Sequence, residues 1–236
     1  MRALALCALA VLVPSPAAAL DPALPPWRNV QDVWGVEEGL PQSSVNSLAQ
    51  TPDGYLWVGT YDGLARFDGL RFEVMRPDST PGLRNAAVRT FLVDPAGRLW
   101  VGTGGGGLSV REGTSFRHVP GTDGWLVRAL ARGSDGTIWV GTSNHGLFRI
   151  GSGNSLASVP LRGLDSVNAL LVDAKGSLWI GTNGKGVWRR SPEGELYAGP
   201  SAAQGEIILS LLETRNGDIW VGTAGAGLLR LRPSRT

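Results

Sequence analysis

Residues able to do acid–base, nucleophilic or metal chemistry are sparse in this chain. There are two histidines, His118 and His145, 27 residues apart, and a single cysteine, Cys7. Two histidines with no cysteine or carboxylate pair beside them do not make a recognisable metal site. No serine lies in a Gly-x-Ser-x-Gly turn that would raise a nucleophile above a sheet. The glycine run at 104–107 has no helix start and no Lys-Ser/Thr behind it, so it reads as a hairpin turn and not as a phosphate cradle. Asp53 and Asp135 stand directly before glycines at recurring positions, which suits turn geometry rather than paired carboxylate catalysis. The expectation is a protein that binds by hydrogen bonding, charge and stacking, with no cofactor and no metal.

Two sets of residues could do such binding. Asn46, Arg89, Arg128 and Asn168 each stand eight residues before a glycine (Gly54, Gly97, Gly136, Gly176), and Leu209 has the same place before Gly217. Four of these five are polar in otherwise apolar surroundings. Arg89 and Arg128, in consecutive copies, suit a carboxylated or sulfated ligand, because a guanidinium donates in parallel to such groups. The alternative is that the polar groups only solvate a channel mouth. The second set is scattered through turns and leading loops: Tyr61, Asp62, Arg84, Asn85, Trp125, Asn144, His145, Asp165, Asn183 and Lys185. Trp125 stands beside Asp123-Gly124 and outside the repeated tryptophan position. An exposed aromatic among polar residues suits sugar stacking; packing at a rim is the other reading.

The elements that must position these residues follow from a repeat. An apolar residue followed by Trp, Val or Ile, Gly and Thr occurs five times, at Leu56–Thr60, Leu99–Thr103, Ile138–Thr142, Leu178–Thr182 and Ile219–Thr223. The tryptophans, Trp57, Trp100, Trp139, Trp179 and Trp220, are separated by steps of 43, 39, 40 and 41 residues. A period near 40 marks a solenoid, a propeller or an array. Within the first copy, short apolar runs at 45–50, 55–60, 64–67 and 70–75 are separated by Pro-Asp-Gly, Asp-Gly and Asp-Gly turns, the pattern of consecutive antiparallel hairpins. Four such strands make a propeller blade. Continuous runs such as Leu56-Trp57-Val58 fit strands covered on both faces, as stacked blades are.

The fold class expected is all-β: a β-propeller of five four-stranded blades, with repeats at about 40–76, 83–119, 122–159, 162–198 and 204–232. The fifth copy stops after its third strand, and residues 27–36 align with a fourth strand. They are expected to complete the last blade and close the ring; the alternative is that the five copies are a fragment of a longer array. Ahead of that segment, Arg2, an apolar run over 3–13 and Ala17-Ala18-Ala19 form a secretory signal pattern, with a leader over 1–19 and a linker over 20–26. The run is too short to span a bilayer. Cys7 lies inside the leader, so the mature chain must hold together by burial alone. The predicted location is periplasmic or secreted, with no membrane span in the mature chain. A formal charge of +2 with scattered Arg and Lys gives no nucleic-acid footprint.

The stretch Gly39-Leu40-Pro41-Gln42-Ser43-Ser44-Val45-Asn46, followed by Asp53-Gly54-Tyr55-Leu56-Trp57-Val58-Gly59-Thr60-Tyr61-Asp62-Gly63-Leu64-Ala65-Arg66-Phe67-Asp68-Gly69, resembles the two-component regulator propeller repeat. The resemblance covers about residues 30–233. It implies the periplasmic input region of hybrid histidine kinases and membrane diguanylate cyclases. It further implies an extracellular cue, often a carbohydrate, and a membrane sensor kinase or cyclase as partner. The sequence carries no kinase or cyclase segment, so the expected function is ligand sensing without catalysis. A structural or protein-interaction propeller, and a carbohydrate-active enzyme, are the alternatives; the last would need two carboxylates converging on the channel.

Overall fold

The computed structural model describes residues 31–151, 155–161 and 163–232. The expected leader and linker lie outside them. The described residues contain no α-helix, only one single-turn 3-10 segment at Ser201–Ala203, and no helix is long and apolar enough to cross a membrane.

Among the described residues nineteen strands form five consecutive meanders. The first blade is β1 (Val45–Gln50), β2 (Leu56–Thr60), β3 (Gly63–Phe67) and β4 (Phe72–Met75). The second is β5 (Val88–Val93), β6 (Leu99–Thr103), β7 (Leu108–Glu112) and β8 (Ser115–His118). The third is β9 (Val127–Arg132), β10 (Ile138–Thr142), β11 (Leu147–Ile150) and β12 (Leu156–Val159). The fourth is β13 (Val167–Val172), β14 (Leu178–Thr182), β15 (Val187–Arg190) and β16 (Leu196–Ala198). The fifth has three strands, β17 (Ile208–Glu213), β18 (Ile219–Thr223) and β19 (Leu228–Leu231). Within each sheet the order follows the sequence and the pairing is antiparallel.

The first strand of each sheet is its inner edge. Inner strands adjoin in series, β1 to β5, β5 to β9, β9 to β13 and β13 to β17, and β17 is not joined to β1 in the same way. The closing strand expected from residues 27–36 is not found among the described residues. Residues 31–36 form no strand, and 27–30 lie outside the description. The chain instead turns at Gly35, whose N–H donates to Glu38 Oε2 at 2.6 Å. Trp34 packs edge-on against Phe67 of the first blade, 5.2 Å between ring centroids.

The core lies between blades. Trp57 and Leu64 of the first blade are buried against Val88, Leu99, Val101 and Phe116 of the second. Trp100, Leu108 and Val110 meet Val127, Leu130, Ile138 and Val140 in the same manner. In both clusters the repeated tryptophan is the wedge between one blade and the next. Burying one such ring removes roughly 150–250 Å² from water.

A close approach sets the blade spacing. A Cβ on Gly59 would lie 2.7 Å from Val88 Cγ1, one on Gly102 2.6 Å from Val127 Cγ1, one on Gly141 2.6 Å from Val167 Cγ1, and one on Gly181 2.5 Å from Ile208 Cγ2. The glycine of each tryptophan strand therefore receives the first residue of the next inner strand, and no larger side chain fits there.

Candidate functional site

Antiparallel meanders divide each blade into two ends. The turns between first and second strands, and between third and fourth, share one end. The turns between second and third strands, and the loops leading into each blade, share the other.

At the first end, turn glycines are paired with acidic residues that act as hydrogen-bond acceptors. Asp94 accepts from the Trp100 indole at 3.0 Å, from Arg98 Nε at 2.6 Å and from the backbone N–H groups of Ala96 and Arg98. Burial alone raises the Asp94 pKa, but these donors outweigh it and hold the carboxyl below its ordinary value of 3.8. Asp173 accepts from the Trp179 indole at 2.9 Å, and Thr51 Oγ1 accepts from Trp57 at 2.9 Å. Asp135 bonds Thr137 through both backbone and hydroxyl, and those bonds lower its pKa. Asp218 is lowered first by the Arg230 guanidinium. The turn role expected for Asp53 and Asp135 fits this pattern, with Asp53 also paired to Arg111 at 3.3 Å.

The acceptor six residues before a tryptophan was not singled out from the sequence. Its signal is present in Thr51, Asp94 and Asp173 ahead of Trp57, Trp100 and Trp179, but Gly133 stands at that place in the third copy and hides it. This end also carries a groove of about 900 Å³ between the fourth and fifth blades, lined by Asp173, Lys175, Trp179, Arg189, Glu213 and Arg215 among others. In the first junction Arg111 lies over the equivalent tryptophan, 4.8 Å from the Trp57 ring. Leu231 holds the corresponding place opposite Ile219 and lines the groove.

The other end is organised by five β-bulges. Each inner strand skips one residue in its pairing with the second strand: between Val45 and Ser47, Val88 and Thr90, Val127 and Ala129, Val167 and Ala169, and Ile208 and Ser210. The skipped residues are Asn46, Arg89, Arg128, Asn168 and Leu209. The set counted back from the turn glycines is thus the set of unpaired bulge residues. A bulge bends the strand and re-aims the extra side chain. Here it does so on the innermost strand of every blade, near the turn end.

Their contacts differ. Asn46 Nδ2 donates to the Val88 carbonyl of the next blade at 2.8 Å. Arg89 lies over the Tyr61 ring of the preceding blade, 4.5 Å from its centroid, and Nη1 donates to the Tyr61 hydroxyl at 3.1 Å. On its other side Arg89 crosses the glycine run, where a Cβ on Gly104 would stand 3.2 Å from Nε. Arg128 is exposed, and its Nε donates to Ser143 Oγ at 2.6 Å. Asn168 is half-buried and Leu209 is exposed. Among the described residues no carboxylate stands within ion-pair distance of Arg89 or Arg128.

The second set is less united. Asp62 is engaged by Arg76, whose Nη2 stands 3.2 Å from its carboxylate. Lys185 donates to the Gly163 carbonyl, Asn144 bonds Leu126 N–H and Gly124 O, and Asn85 accepts from Ala87 N–H. Arg84 faces Asp123 at 3.7 Å. Asp165 and Asn183 take part through the backbone, in Gly146 N–H to Asp165 O and Asn183 N–H to Ser166 O. These residues tie leading loops to turns.

Of the two readings of Trp125, exposed for stacking or packed at a rim, the structure has the packed one. The residue is 6% exposed, belongs to the core between second and third blades, and packs on Phe148 at 4.0 Å. His145 stacks over it at 5.4 Å and is itself exposed. Two pairs are therefore brought together, Tyr61 with Arg89 and Trp125 with His145. Among the described residues no group of three His, Cys, Asp or Glu side chains could hold a metal ion.

Comparison with known proteins places this geometry in a family. The description "Two component regulator propeller" matches residues 39–62, 82–105, 122–144, 161–184 and 203–225, together half of the chain. Each match runs from a leading loop through the bulged inner strand and the tryptophan strand into the following turn. A curated relative, histidine kinase P4 of Formosa agariphila, is 54% identical over 39 residues, covering 16% of this chain and 3% of the kinase. The extracellular domain of the hybrid two component system BT3049 from B. thetaiotaomicron superposes with TM-score 0.70 at 23% identity, over 81% of this chain and 27% of that one. Virginiamycin B lyase from Staphylococcus aureus superposes with TM-score 0.63 at 15% identity, over 84% of this chain and 72% of the lyase. The chain thus spans under a third of the sensor structure it resembles.

Proposed function

The chain belongs to the two component regulator propeller family, and from that premise we propose that it is the extracellular input region of a signalling receptor, binding an acidic carbohydrate or similar polyanion on the bulge ring. The observation that carries the reading is the pair Arg89 and Arg128. Both are bulge residues on adjacent inner strands, and no carboxylate neutralises either among the described residues. Two such guanidiniums offer parallel N–H donors to a carboxylate or sulfate, and charge-assisted bonds of this kind are stronger than neutral ones.

Asn46 and Asn168 flank the pair on either side of the ring and can donate to sugar hydroxyls. Tyr61 holds Arg89 in place through its ring and hydroxyl, so less side-chain freedom is lost on binding. Trp125 sits within the core and acts through His145, which it holds flat at the same end of the fold.

In this reading the partner is a membrane sensor kinase or cyclase output region, and the location is outside the cytoplasmic membrane. The propeller itself works by binding and not by catalysis. Asp62, which a carboxylate-based enzyme would need free, is engaged by Arg76.

The test is glycan-array binding followed by calorimetry on the best hit. The Arg89→Ala/Arg128→Ala double variant should lose binding to carboxylated or sulfated glycans while its thermal melting stays that of the wild type. Retained binding by the double variant would remove the ring as the site.

A further inference from the structure

The sequence has two Asn-Gly pairs, Asn183-Gly184 and Asn216-Gly217, and the fold treats them in opposite ways. Asparagine is a thermolabile residue. Its amide carbon can be attacked by the next backbone nitrogen, which closes a five-membered ring. Closure needs three things. The following residue must carry no side chain that blocks the approach, its N–H must not be held by an acceptor, and the amide must be able to turn.

Asn216 fails two of these. Gly217 N–H donates to Thr214 O at 2.8 Å. The Asn216 amide is pinned at both ends, Oδ1 accepting from Thr214 Oγ1 at 2.5 Å and Nδ2 donating to Asp218 at 3.0 Å. Asn183 meets all three. It is exposed in the turn between β14 and β15. Its own N–H donates to Ser166 O, and that of Lys185 to Thr182 Oγ1. Between them, Gly184 N–H has no acceptor and the Asn183 amide no partner among the described residues. A Cβ on Gly184 would meet nothing within 4 Å, so the approach is open. Asn144, in the matching turn of the third blade, is held by Leu126 and Gly124, and the next residue is His145, whose N–H is given to Thr142 Oγ1.

We propose that Asn183-Gly184 is a site of spontaneous covalent modification, at which the asparagine becomes aspartate and isoaspartate, while the turn around Asn216 protects the second pair. The Gly184 nitrogen gives its proton to solvent base and attacks Asn183 Cγ. A C–N bond forms, the Cγ–Nδ2 bond breaks, and Nδ2 leaves as ammonia after taking up a proton. Water then opens the cyclic imide, at Cγ to give aspartate or at the backbone carbonyl to give isoaspartate. Either product puts a carboxylate on the inner rim. Asn183 follows Thr182, which pairs with Val167, the residue before the bulged Asn168. Ser143 has that place in the third blade and accepts from Arg128 there. The reaction therefore adds an anion to the end of the fold that carries Arg89 and Arg128, and the charge of the rim changes with the age of the molecule.

The experiment incubates the full chain at mildly alkaline pH, folded and in urea, and follows tryptic peptides 176–185 and 216–230 by mass spectrometry, each corrected for its zero-time value. In the folded chain peptide 176–185 should gain the amide-to-acid mass increment several-fold faster than peptide 216–230, with aspartate and isoaspartate forms separable by chromatography. In urea the bonds that pin Asn216 are gone, and the two rates should converge. Gly184→Asp, a residue type that tolerates left-handed backbone, crowds the attacking nitrogen. It should slow the conversion of peptide 176–185 several-fold with an unchanged far-UV spectrum.

Equal rates for the two peptides in the folded chain, or a faster peptide 216–230, overturn the proposal. So does a folded chain in which neither peptide converts while the urea sample does. A rate ratio that persists in urea removes the protecting role of the turn. Conversion without isoaspartate, or undiminished in Gly184→Asp, removes the cyclic imide and with it the part played by Gly184.

Discussion

Val88 and Arg89 are neighbours in sequence and serve opposite regions of the molecule. Val88 is fully buried in the hollow over Gly59, part of the frame that spaces one blade from the next. Arg89 is skipped in the strand pairing and turned toward the inner rim, where it meets Tyr61 and the glycine run. The frame recurs with little change in all four junctions. The rim residue is Asn, Arg, Arg, Asn or Leu from one blade to the next. A β-bulge makes this division of labour workable. It removes one residue from the strand pairing within the blade, so that residue can change without cost to the frame.

Substitutions on the two sides of this division should separate cleanly, from largest effect to smallest. Trp57→Ala empties the wedge between first and second blades, where Trp57 is fully buried; a loss of about 3–5 kcal/mol is expected by chemical denaturation. Gly59→Ala forces its new methyl into Val88, Phe91 and the Ser47 hydroxyl, and about 1–3 kcal/mol should be lost to overpacking. The same change at Gly222, which meets only Ser210, should cost less, and equal costs would show that the blade contact is not what the glycine serves.

Asp94→Asn keeps an acceptor for the Trp100 indole but replaces the ion pair with Arg98 by a bond from the guanidinium to a neutral acceptor, a loss of about 1 kcal/mol at neutral pH. The sign of its pH dependence follows from the lowered pKa. The carboxylate stabilises the fold above its ordinary value of 3.8, and that contribution fades as pH falls below it toward the depressed folded value. Acid melting curves of wild type and Asp94→Asn should therefore converge below about pH 4. At the rim, Arg128→Ala should shift stability by no more than about 0.5 kcal/mol, since it removes one exposed side chain and one bond to Ser143. A large destabilisation there would make the rim part of the frame and end the comparison.

Much of the frame is legible in the sequence because its requirements are local and recur. The tryptophan, the glycine two residues after it and the turn glycine return at each step near forty residues, and the observed strands follow that spacing. Counting back from the turn glycines also located Asn46, Arg89 and Arg128, because the bulge keeps a constant offset from the turn. That these residues are bulged was not legible: the skipped residue has no fixed type, and the defect exists only relative to a pairing partner. Trp125 shows a second limit. Its sequence neighbours Asp123 and Gly124 are polar and small, but Phe148 and the second blade bury it, and both are remote in the chain. The engagement of Asp62 by Arg76 and of Arg89 by Tyr61 likewise depends on chain segments 14 and 28 residues apart.

The glycine-to-valine junction has a consequence for how such a gene can change. Every blade carries the receiving half on one face and the inserting half on the other. Tandem duplication of one segment of about forty residues adds a blade whose two faces already match its neighbours. Deletion of one segment rejoins a receiving face to an inserting face. Unequal recombination can therefore lengthen or shorten the array in single steps, and no intermediate has to invent a new core.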